Sequence, residues 1–148
     1  MQRKDLYDDE TFEEILERLS RLTPETEAEW GSMTVAQMLA HCAEVQDVTN
    51  GKKLKGTSLF LKIIGPIIKK VVLSEKPYDR NIKTHPQYEM HEPEDFSRQR
   101  DRLMDSIRTM HALGRRETRH PLFGKMSASD NGWAMYKHLD HHFSQFGV

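Results

Sequence analysis

The stretch Ser127-Ala-Ser-Asp-Asn-Gly-Trp-Ala-Met-Tyr-Lys-His-Leu-Asp-His-His-Phe-Ser-Gln-Phe146 reads as one helix with its own start signal. Ser127 followed by Asp130 has the spacing with which side chains cap the free amides of a first turn. Turning about 100° per residue from His138, the residues Met135, Phe146, Leu139, Phe143 and Tyr136 fill an arc from about 60° to about 160°, a stripe that must face a core. His138 and His142 border that stripe, while His141, at about 300°, points toward solvent or a rim. Residues four apart on a helix are neighbours with Cβ atoms roughly 6 Å apart, so His138 and His142 can converge on one divalent cation. Such a site needs at least one further ligand. Gln145 lies on the same edge as His138, where an amide can hydrogen-bond a ligand or a bound water.

Working outward, Thr34 and Gln37 make a capping box that opens a second helix from Val35 to about Thr49, and Asn50-Gly51 stops it. His41 lies inside its core-facing arc, among Val48, Val45, Met38, Cys42, Val35 and Leu39. A buried imidazole nitrogen without a partner costs on the order of 1–3 kcal/mol, so His41 requires one. A metal shared with His138 and His142 meets that requirement, and so does an ordinary hydrogen bond. Gln37 borders the same face one turn earlier.

Phe12, Ile15, Leu16 and Leu19 place a first helix over 11–22, ended by Thr23-Pro24. Phe96, Leu103, Ile107 and Met110 predict another long helix over 94–113, with Arg98, Arg100, Arg102, Asp101 and Asp105 on its solvated side. The segment Ser58 to Leu73 is the most apolar of the chain, yet Lys62, Lys69, Lys70 and Gly65-Pro66 interrupt it, and about 20 apolar residues are needed to span a bilayer. It reads as a helix broken at Gly65-Pro66 and packed over the core, with a membrane-surface helix as the alternative. Residues 74–92 read as an irregular connection, and His120-Pro121-Leu-Phe-Gly124 as a further break. No alternating strand pattern is evident. The expected fold is all-α: four long helices in one bundle domain, plus a short helical segment in the long connection between the second and third.

The 148 residues suffice for one domain, and 22 basic against 23 acidic side chains leave no positive field of the kind nucleic-acid binding uses. A single cysteine, Cys42, excludes an internal disulfide framework. The acidic beginning of the chain has no secretory pattern, so cytoplasm is the expected compartment. Cys42, within the apolar arc, is expected to be a buried, inert thiol. Lys137 and Asp140 fall outside the stripe and are expected at the surface, as are His85, His91 and His111. Leu139 stands where H-E-x-x-H carries glutamate, which excludes a zinc-protease reading.

Three blocks resemble a bacterial family related to DinB and to YfiT-like metal-dependent hydrolases: Trp30-Gly-Ser-Met-Thr-Val-Ala-Gln-Met-Leu-Ala-His-Cys42, His120-Pro-Leu-Phe-Gly124 and Trp133-Ala-Met-Tyr-Lys-His-Leu-Asp-His-His-Phe-Ser-Gln-Phe-Gly147. The last is the specific one. The resemblance implies a DinB-like four-helix bundle, a homodimer, and a metal held by His41, His138 and His142. Within that superfamily some members are thiol S-transferases that use bacillithiol, mycothiol or glutathione, and others are isomerases. The expectation is therefore a divalent zinc, nickel or iron ion with an open position for water or a thiol, acting on a small molecule as a transferase or hydrolase. Its rival is a non-catalytic binding or stress-associated bundle.

Overall fold

Ser127 caps the last helix as its spacing predicts: its hydroxyl accepts from the Asp130 amide at 3.1 Å, and the Asp130 carboxylate accepts from the Ser127 amide. In the computed structural model, which describes residues 1–92 and 94–148, the elements run α1 (Asp9–Ser20), α2 (Val35–Asn50), α3 (Leu59–Leu73), a short 3-10 turn (Pro86–Tyr88), α4 (Phe96–Leu113), β1 (Thr118–His120), β2 (Gly124–Met126) and α5 (Ala128–Gln145). The protein is mostly helical. The core is shared by Ile15 and Leu19 of α1, Met38, Leu39 and Cys42 of α2, Leu103 and Ile107 of α4, and Trp133, Leu139 and Phe143 of α5. Apart from Trp133, which lies outside the stripe read on the last helix, these are apolar positions that the helical spacing selects, and their burial is the main favourable term in folding.

Two features depart from the sequence expectation. The His120–Gly124 block is an antiparallel hairpin, in which Thr118 pairs with Met126 and His120 with Gly124, so the chain is not purely helical. Strands of three residues are too short to show an alternating pattern. His120 closes the turn itself, because its Nδ1 accepts from the amides of Leu122 and Phe123 while its ring stacks on Phe123 at 4.3 Å. Burial pushes its pKa down to about 4, which keeps that nitrogen free to accept. The block is a turn motif held by its own histidine.

The second departure is α3, which continues through Gly65-Pro66 as one helix of 15 residues. Pro66 is exposed, so water can replace the backbone bond that it removes. Gly65 faces inward, where a Cβ would stand 2.2 Å from the Leu122 carbonyl oxygen; only glycine lets α3 approach the hairpin turn this closely.

Between α2 and α4, Glu44 and Asp47 accept from Arg102, Glu44 also accepts from Lys52 and from Gln87 at 2.7 Å, and Ser106 donates to Asp47. Burial raises the pKa of the Glu44 carboxyl, but the hydrogen bonds from Lys52, Arg102 and Gln87 outweigh it and leave the group below its ordinary 4.5. A carboxyl with a depressed folded pKa contributes stability above its unfolded pKa and loses it as the pH falls through the folded value. Glu44→Gln is therefore expected to cost about 2 kcal/mol at neutral pH. The gap from the parent chain should close as urea titrations move below pH 4.5, and a gap independent of pH would contradict the assignment.

Candidate metal centre

The second-helix capping box, in which Thr34 accepts from the Gln37 amide, opens α2, on which His41 faces α5 and the 3-10 turn. His41 is 5% exposed and His142 9%, while His138 is half-buried. One nitrogen from each of the three lies within 4.8 Å of the others. His41 and His138 approach most closely, with their Nε2 atoms 3.0 Å apart.

Hydrogen bonds on the far sides of the rings decide which nitrogens face one another. His41 Nδ1 lies 2.7 Å from the Tyr88 carbonyl oxygen, which can only accept, so Nδ1 carries the proton and Nε2 keeps a lone pair. His142 Nδ1 lies 3.0 Å from Gln145 Oε1, and the orientation of that amide is fixed because Gln145 Nε2 donates to the Trp30 carbonyl at 2.7 Å. His142 is thus also an Nδ1–H tautomer with a free Nε2. A carbonyl behind the protonated nitrogen of a histidine ligand is the usual arrangement that orients it and raises its basicity. Burial holds the pKa of His41 below its ordinary value against the opposing Tyr88 bond, and it pushes His142 down to about 3 and His138 well below normal, with the neighbouring imidazoles adding to both. All three are neutral near pH 7, the form that binds metal.

The loop before α2 supports this edge. Gly31 has φ +84°, and a Cβ there would sit 2.6 Å from Gln145 Nε2, so glycine both makes the bend and leaves room for the amide. Glu29 donates to the Gln145 carbonyl. Gln37, by contrast, is used at the head of α2: its Oε1 accepts from Thr34 and its Nε2 donates to the Glu92 carbonyl, away from the histidine group. His141 forms the rim, edge-on to Trp30 at 6.1 Å and to Tyr78 at 5.5 Å, and the Arg80 guanidinium lies over Trp30 at 4.4 Å.

Several residues stand elsewhere than expected. Lys137 is not at the surface: it is 1% exposed and donates to the carbonyls of Val71 and Ser74. Its burial pushes the ammonium down to about 8. Asp140 pairs with Arg18 at 2.7 Å. His85 is buried, its Nδ1 accepting from the Gln87 amide and its Nε2 bonded to Thr57. His111 stacks on Phe12, whereas His91 is exposed beside Glu89. Cys42 is fully buried, as expected, and desolvation raises its thiol pKa. The residue that sequence reading missed at the centre is Tyr88, whose contribution is a backbone carbonyl on a three-residue turn, and side-chain patterns carry no signal of that.

A protein-family model described as "Protein of unknown function (DUF1569)" matches residues 1–147. The chain belongs to the DUF1569 family. No curated protein and no solved structure matches it. In this DUF1569 chain the match spans His41, His138, His142 and both residues that orient them, Tyr88 and Gln145. Two surface cavities, of about 360 Å³ beside Asn50 and His120 and about 550 Å³ beside Asp47 and Arg102, are lined by none of the three histidines. The histidine group therefore lies apart from both of these hollows. Both hollows are lined largely by polar and charged side chains of the surface, Lys52 and Lys53 in one and Arg102 and Asp105 in the other.

Proposed function

We propose that α1, α2, α4 and α5 form a DinB-like four-helix bundle, and that His41, His138 and His142 hold one divalent zinc, nickel or iron ion. The activity we assign is that of a metal-dependent thiol S-transferase or hydrolase acting on a small molecule. The observation that carries this reading is the commitment of two Nδ1–H groups to carbonyl oxygens, which leaves Nε2 of His41 and of His142 unprotonated in a group of three histidines whose ligand nitrogens lie within 4.8 Å of one another. Bond lengths of about 2.0–2.1 Å require ligand nitrogens roughly 3.4 Å apart at tetrahedral angles, so the present group needs only small ring shifts.

A divalent ion held there would supply Lewis acidity, lowering the pKa of a thiol or water that reaches it. The chain's own residues supply the rest. Three neutral imidazoles leave the full ionic charge available, Gln145 keeps His142 in one tautomer, and the aromatic wall of Trp30, Tyr78 and His141 limits water at the rim. A low-molecular-weight thiol as co-substrate, and a homodimeric state, rest on the resemblance to DinB-like proteins.

One observation favours the second reading. The Nε2 atoms of His41 and His138 at 3.0 Å make a satisfactory hydrogen bond when His138 donates, and a non-catalytic bundle needs nothing more. Elemental analysis of dialysed protein purified without a histidine tag separates the two. About one divalent ion per chain is expected, followed by activity in a screen of thiol-transfer and hydrolysis reactions. Protein that stays metal-free after reconstitution would leave only the binding bundle.

A further inference from the structure

The outer face of α3 is the least explained surface of the molecule. Leu59, Phe60, Ile63, Ile67 and Val71 recur at helical spacing and are each 51–75% exposed, although each is a residue type normally buried. Beneath them α3 is held firmly. Gly65 lies against the Leu122 carbonyl, Trp133 Nε1 donates to the Leu73 carbonyl at 3.1 Å, and Lys137 takes the carbonyls of Val71 and Ser74. The apolar face is thus preformed and rigidly presented.

Charge says what covers it. Residues 48–74 contain six lysines and no aspartate or glutamate, in a chain whose net charge is −1. Lys52 is paired with Glu44, and Lys69 is turned to the Lys125 carbonyl. Lys53, Lys55, Lys62 and Lys70 are exposed, and among the described residues none has a carboxylate within ion-pair distance. Lys62 and Lys70 lie on the exposed side of α3 itself. A second copy fits this face poorly, because a two-fold contact would set the same lysines against one another with no acidic group on the face to offset them.

We infer that α3 and the lysines leading into it form a docking surface for an anionic lipid membrane, on which the helix lies in the plane of the interface. The apolar row enters the acyl boundary while the lysines meet the headgroups, as in other interfacial helices. No described helix is long and apolar enough to cross a bilayer, so the contact is peripheral. It does not depend on the metal centre.

Co-sedimentation with vesicles of mixed phosphatidylcholine and phosphatidylglycerol tests this. The protein is expected to pellet at low ionic strength, to be released as salt is added, and to ignore pure phosphatidylcholine. Replacing Lys62 and Lys70 by glutamine should weaken partitioning about thirtyfold. Phe60→Ser with Ile63→Ser should abolish it while the circular dichroism spectrum and metal content stay unchanged, since both side chains are exposed. Failure to pellet, or pelleting untouched by Phe60→Ser with Ile63→Ser, would overturn the inference. So would a lipid-free dimer in sedimentation velocity that the same double variant dissociates, which would assign the face to a second copy.

Discussion

In the His138→Ala variant, the metal content of untagged, dialysed protein is expected to fall from about one ion per chain to near zero, with affinity down roughly a hundred- to thousandfold. That range is one ligand's share of the ~10–16 kcal/mol with which structural zinc sites bind at neutral pH. His41→Ala should act alike, because its Nε2 lies 3.0 Å from that of His138 in the same group of three. His141→Ala is the internal control: its ring stands 5.0 Å from His142 at the rim and is not one of the convergent three. Gln145→Ala should be intermediate, at about 10–100-fold, since it frees the His142 tautomer without removing a ligand. The prediction is graded, and the gradation separates the two readings of the centre. Adventitious binding by surface imidazoles would lose affinity equally in His138→Ala and His141→Ala. A hydrogen-bonded histidine pair with no metal would show no stoichiometric ion in any of them, and His138→Ala would instead cost stability by leaving a buried nitrogen of His41 unpartnered.

How much of this was legible beforehand depended on whether the deciding contact lay within one helix or between elements. The helices α1, α2, α4 and α5 follow from apolar spacing and capping residues, both of which are local. The i, i+4 relation of His138 and His142 is local too, and His41 could be placed inward because its arc holds Met38, Leu39 and Cys42, all now buried. Part of what could not be read depends on a partner distant in sequence. Tyr88 reaches His41 across 47 positions through a main-chain carbonyl, and no pattern of side chains announces it. The hairpin was invisible because three-residue strands have no period to detect. Gly65-Pro66 reads as a stop because proline usually breaks a helix, yet Pro66 lies on the exposed side of α3, where water can meet the freed carbonyl, and the helix continues. Gln37 was drawn toward the site by its position on the wheel, but the capping box claimed its side chain first.

Lys137 is the instructive misplacement, and it yields the largest stability prediction. It lies outside the apolar stripe of α5, so it was expected in water, but α3 covers precisely the flank that a single-helix wheel cannot see as buried. There the ammonium donates to the carbonyls of Val71 at 3.0 Å and Ser74 at 2.8 Å, over the ring of Tyr78 at 4.2 Å, and so caps the end of α3 from a different helix. Two effects oppose each other. Desolvation disfavours the charge, which is why its pKa is driven down to about 8, while the freed carbonyls of a helix end must be met by some donor. Removing the side chain relieves the first and exposes the second: each orphaned carbonyl costs about 1–3 kcal/mol, and the lost alkyl stem leaves a cavity between α3 and α5. Lys137→Ala is therefore expected to lose about 3–4 kcal/mol in urea unfolding, with faster amide exchange confined at first to the end of α3. Lys137→Met keeps the stem and drops the donors, so it should lose about half as much. A loss below about 0.5 kcal/mol in Lys137→Ala would mean that water caps α3 as well as the ammonium does. That result would leave the Trp133 hydrogen bond, the close approach at Gly65 and the packing of Val72 and Leu73 on the core as what holds the helix.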